Sequence, residues 1–123
     1  MGRNGLPDAE KLLCAALDCF DAAESSYGRA VALVTLGEVL RRQGRHRDAK
    51  LALDEAYTLL KDGQDMRQLC VLHCHRALYY QDAGDTTAYQ DALREAERLG
   101  ASLGVDAQSP AGRALGRARQ AGR

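Results

Sequence analysis

The sequence predicts an all-α fold of antiparallel helix pairs repeated along the chain. Between Ser25 and Gly63, apolar residues recur at three- and four-residue steps. Ala30, Leu33, Leu36, Gly37 and Leu40 form one stripe, and Ala49, Ala52, Leu53, Ala56 and Leu60 form a second, with a turn at Gln43-Gly44-Arg45 between them. The same pattern returns about 40 residues away on either side. Composition agrees: alanine and leucine dominate, aromatic residues are 5% and tryptophan is absent, which favours closely packed helices over a sandwich of strands.

These signals divide the chain into five helices, at about 7–23, 26–43, 46–62, 66–83 and 86–100, followed by a short C-terminal helix or tail. The first has the pattern of the second helix of a repeat, since Ala9, Leu13 and Ala16 fall in step with Ala49, Leu53 and Ala56. The second and third helices are the central pair. Small residues sit where they must approach closely, Gly37 on one and Ala49 and Ala56 on the other. The fourth and fifth repeat them, with Ala77 in step with Gly37, Tyr80 with Leu40, Gly84 with Gly44 and Ala96 with Ala56. This copy departs from the pattern at three places: His73 replaces Leu33, Arg76 replaces Leu36 and Tyr89 replaces Ala49.

End signals support the division. Ser25 and Asp65 stand at equivalent starts, Asp65-x-x-Gln68 has capping-box spacing, and Asp85, Thr86 or Thr87 can cap the next helix. Gly63 and Gly84 are placed to close helices. Ser109-Pro110 reads as an N-cap followed by proline at the first helical position. The segment that follows has glycines at 112, 116 and 122, one large apolar residue (Leu115), four arginines and no acid, so a short basic helix fraying after about Arg119 is expected. The resulting organisation is a repeat domain over 1–108 (half repeat 1–24, repeats 25–64 and 65–104) and a basic capping segment over 109–123.

The order Leu36-Gly37, Leu40, Gly44, Ala49, Leu53, Ala56 resembles the tetratricopeptide repeat, a helix-turn-helix unit. Leu33 replaces the aromatic residue common near its start, and Lys61 stands where a late proline is usual. The period exceeds the 34 residues of the commonest unit and matches the longer-repeat type. The resemblance implies a right-handed α-solenoid that acts as a binding or assembly scaffold, of a kind that recurs as an appendage of bacterial kinases and transcription factors. In that family the first helix of each repeat lines a concave groove for a peptide. Carried over, the groove positions are Val31, Val34, Thr35, Glu38, Arg41 and Arg42 in one repeat, and Val71, Cys74, His75, Leu78, Gln81 and Asp82 in the next. The lysines and asparagines with which some members grip a terminal carboxylate are missing here. Val34, Val71 and Leu78 would make an apolar floor, or would pack between helices, because groove and core stripes adjoin.

Composition and motifs narrow the chemistry. Lys+Arg and Asp+Glu each number 17, so there is no global pull toward nucleic acid; the arginine tail and Arg41, Arg42, Arg45 and Arg47 are the only features that favour it. No signal peptide or membrane-length apolar run is present, and with four cysteines in such a chain a cytoplasmic setting with reduced thiols is expected. No phosphate loop or His-Glu-x-x-His motif occurs, so neither an enzyme nor a cofactor is expected. One cluster supports an alternative. Cys70 and Cys74 share a helical face beside His73, and with a fourth ligand from His46 or another chain they would form a metal-dependent sensor or enzyme. The competing reading is that these cysteines are small core residues of a closely packed helix. Finally, Leu12, Leu13, Leu17 and Phe20 span more than one face of the first helix, of which the next helix covers one. A preceding helix of a longer protein, exposure in a monomer or a second copy accounts for the rest, and for the isolated chain a symmetric homodimer is expected.

Overall fold

The computed structural model describes residues 11–15, 17, 18, 26–62 and 65–122. Among these every regular element is helical: α1 is Ser26–Arg42, α2 His46–Leu60, α3 Met66–Asp82, α4 Thr86–Leu103 and α5 Pro110–Ala121. Residues 11–15, 17 and 18 are also helical; the rest of the predicted first helix, with Cys19 and Phe20, lies outside the described residues, as do Ser25 and Gly63. The chain divides into two compact units after Asp62.

In the first unit α1 and α2 form an antiparallel hairpin. Gly44 supplies the positive φ (79°) that lets the chain reverse, and the Arg45 amide donates back to the Leu40 carbonyl at 2.9 Å, satisfying one of the last helical carbonyls. The two helices meet across Gly37: a Cβ there would lie 2.7 Å from Leu53 Cδ2. Ala30, Leu33, Leu36 and Leu40 on α1 and Ala49, Leu53, Ala56 and Leu60 on α2 are all buried, as the periodicity predicts. Arg29 and Glu55 close the other end with a 2.6 Å ion pair.

In the second unit α3 and α4 repeat that hairpin. Gly84 has φ 77°, and the Asp85 amide donates to Tyr80 O at 3.0 Å, the counterpart of the Arg45–Leu40 bond in the first turn. Asp65 caps α3 by accepting from the Gln68 amide at 3.0 Å, and Asp85, from among the three candidates, caps α4 by accepting from the Ala88 amide at 3.1 Å. The predicted end of α4 is corrected. The helix runs to Leu103 because Gly104, with φ 62°, is the reversing glycine, whereas Gly100 lies inside the helix at a crossing where a Cβ would come 2.7 Å from Leu115 Cδ1.

That crossing belongs to α5, which packs on both α3 and α4. Ser109 caps it, accepting from the Gly112 amide at 3.1 Å, and Pro110 occupies its first turn as predicted. The expected fraying after Arg119 is not seen, since the helix continues to Ala121. Two side chains of the preceding pair hold its end: Tyr89 Oη donates to Ala118 O at 2.6 Å and Gln81 Nε2 to Ala121 O at 2.8 Å. Both cap carbonyls that the last turn of a helix leaves open.

Candidate functional site

The first helix of each unit carries the predicted groove positions. On α1, Thr35 is exposed and Val31, Glu38 and Arg41 are half-buried, while Val34 is only 3% exposed. Val34 is therefore a core residue of its unit, and a charge placed there tests folding before it tests binding. Thr35 Oγ1 donates to Val31 O at 3.2 Å, and Arg41 reaches Glu38 at 2.8 Å in an (i, i+3) pair. The surface left is a short polar stripe flanked by valine.

α3 departs further from the expected groove. Cys74 is fully buried, His75 is 8% exposed, and Gln81 commits its amide to α5. α5 follows α3 in the same direction, and Arg117 and Arg119 lie within electrostatic reach of Cys74. Among the groove residues expected on α3, Cys74 and His75 are buried, Val71, Leu78 and Gln81 are half-buried and Asp82 is exposed; the helix α5 occupies part of the face that the sequence left open. The signals for this were visible but weak: a capped Ser-Pro start, and an alanine-rich stripe of Ala111, Ala114, Leu115 and Ala118.

The Cys70/His73/Cys74 cluster does not converge. Cys70 Sγ donates to Ala96 O at 3.3 Å, and the two thiols lie close enough to perturb each other. The neighbouring Cys74 draws the Cys70 thiol below its ordinary value, while Cys70 first and burial second hold the Cys74 thiol up. At His73, burial first and Arg76 second press the pKa down to about 4, against the opposing pull of Glu95. Among the described residues no three His, Cys, Asp or Glu side chains gather where a metal ion would be held. Cys14, Cys70 and Cys74 are free thiols.

His73 instead opens on a cleft of about 280 Å³ between α3 and α4, lined also by Arg76, Tyr80, Asp91 and Glu95. Glu95 pairs with Arg98 on its own helix, and Asp91 with Arg94. The departures at 73 and 76 marked two of these positions in the sequence, but not that they share a cleft with Tyr80. A second hollow, along the outer flank of α5, is lined by Arg113, Gly116, Arg117, Arg119 and Gln120. No helix among the described residues is long and apolar enough to cross a membrane. Compared with family models, curated proteins and solved structures, the chain matches none of them.

Proposed function

We propose that this chain is a protein-binding module of tetratricopeptide type, a non-enzymatic scaffold that holds a helix or extended segment of a protein partner on the first helices of its repeats, within a larger regulatory assembly. One observation carries the reading: burial itself repeats. Ala30, Ala32, Leu33 and Val34 are buried, and so are Cys70, Leu72, His73 and Cys74 forty positions on; Ala49, Ala52 and Ala56 recur as Tyr89, Ala92 and Ala96. A helical hairpin duplicated with its core intact is the building principle of repeat scaffolds, whose rigid faces bind at little ordering cost. A reducing, cytoplasmic setting belongs to the same reading, supported by two thiols buried as core residues.

Selection from a displayed library of short peptides tests it. Enriched peptides should lose affinity at least tenfold on Val31→Glu or Thr35→Arg, with circular dichroism unchanged. Failure to enrich any peptide, or binders indifferent to both substitutions, would overturn the assignment.

A further inference from the structure

We propose that the face of α3 and α4 beneath α5 is a helix-binding surface, and that the α5 segment of a second copy of this chain exchanges with the resident one. The inference rests on the reading of the chain as a protein-binding module, and names one surface and one occupant for it.

The surface is made by particular residues. Gly100 leaves room for Leu115, and beside that contact lies Cys70 Sγ, 3.8 Å from where a Gly100 Cβ would stand. Tyr89 and Gln81 reach across to the carbonyls of Ala118 and Ala121, and Glu97 meets Arg119 at 2.7 Å. The resident helix is poorly equipped to stay. Apart from Leu115 its buried side chains are the alanines 111, 114 and 118. Gly112 and Gly116 lie inside its 12 residues, and each costs helix stability relative to alanine. A helix of that length has little stability away from its dock. α5 is therefore expected to open on its own ahead of α3 and α4. What it uncovers fits the stripe Ala111-Ala114-Leu115-Ala118, together with two carbonyls and an arginine at fixed spacing. A second copy brings that set unchanged, so the same bonds form in trans, as in domain exchange.

Alkylation of the full chain by iodoacetamide, read by mass at Cys70 and Cys74, reports the opening. Leu115→Ala should raise labelling at least about tenfold over the parent, and Tyr89→Phe should raise it less. Excess synthetic peptide of residues 109–123 should then suppress labelling in either variant at least about fivefold, and a scrambled peptide should not. Tyr89→Phe keeps the test alive should Leu115→Ala fail to fold. Two results would overturn the proposal. One is thiols that label no faster than the α3 and α4 amides exchange, which makes α5 part of one cooperative unit. The other is labelling that the peptide leaves unchanged. Protection by the peptide alongside a failed library selection would sink the broader scaffold reading while leaving this surface in place.

Discussion

Where α1 carries Leu33, Leu36 and Leu40, α3 carries His73, Arg76 and Tyr80. Where α2 carries Ala49 and Leu60, α4 carries Tyr89 and Gly100. The two hairpins have the same turn and the same buried frame, so these substitutions fall into two groups by what they touch. Tyr89 and Gly100 face α5: one extends a hydroxyl to Ala118, the other withdraws its side chain to admit Leu115. His73, Arg76 and Tyr80 line the cleft against α4. In the first pair the close approach lies inside the hairpin, at Gly37 against Leu53; in the second the corresponding residue is a buried alanine, Ala77, and the tight contact has moved to the third helix. A repeat thus keeps its frame while its close contacts are redirected to whatever packs on it.

The largest expected effect breaks the first pair at its tightest point. Gly37→Leu drives a side chain into Leu53 and should destabilise by about 3 kcal/mol, whereas Ala77→Leu should cost about 1–2 kcal/mol because the second pair already accommodates a Cβ there. Urea titrations of both variants measure the difference. Equal losses would mean that the two hairpins pack alike at this position.

Acid separates the pairs next. His73 is held near a pKa of about 4, against 6.5 for the ordinary side chain. Below pH 6.5 the unfolded chain therefore binds a proton that the folded chain refuses, and stability falls from pH 6.5 toward 4. Arg76, Glu95, Arg98 and Asp91 surround the ring. Allowing for screening by solvent at the cleft, the loss over that window is about 2 kcal/mol. His73→Leu, which restores the residue of the first pair, should remove that slope while changing stability at pH 7.5 by less than about 1 kcal/mol. Melting temperatures across pH 4.5–7.5 give the answer, and parallel profiles for parent and variant would assign the acid sensitivity to other groups.

Much of this architecture was legible in the sequence, for reasons that differ between elements. The hairpins were legible because turn glycines at 44 and 84, aspartate caps at 65 and 85, and three-four spacing all act within a few residues. The end of α4 was not, since Gly100 and Gly104 are equivalent as letters and only contact with Leu115 shows which one must lie inside the helix. Burial of Cys74 and His75, and the bond from Gln81 to α5, were hidden for the same reason. Whether a helix face is groove or core depends on a third element, and α5, with one large apolar residue, announces itself weakly. The cysteine–histidine cluster was legible as spacing but not as contact: that Cys70 is committed to Ala96 O and His73 to the cleft beside Glu95 depends on α4, which no spacing within α3 reveals.

A smaller effect probes the contact that distinguishes Tyr89 from Ala49. Tyr89→Phe deletes one hydroxyl and leaves Ala118 O without its cap, at a cost of about 1 kcal/mol. Hydrogen exchange should show that cost concentrated in α5, with the amides of α1 and α2 unchanged. A loss shared evenly across the chain would mean that the bond does not act locally.

The smallest effect transplants a cap from one pair to the other. Arg45 and Asp85 occupy the same place before α2 and α4, with nearly the same backbone angles (φ −87°, ψ 69° against φ −94°, ψ 86°), yet Arg45 makes no side-chain cap bond whereas Asp85 accepts from the Ala88 amide. Arg45→Asp should let the new carboxylate accept from the Asp48 amide, a gain of about 1 kcal/mol, with a further small benefit from negative charge at a helix N-terminus. Against this stand the loss of the exposed Arg45–Asp48 ion pair at 2.8 Å, a few tenths of a kcal/mol, and a similar repulsion between two aspartates three residues apart. The balance is a stabilisation of about 0.5 kcal/mol, which should shrink at low salt, where the repulsion is least screened. Thermal melts at two ionic strengths decide it: a neutral or destabilised variant at high salt would mean that the backbone before α2 does not offer its amide to a cap as the backbone before α4 does.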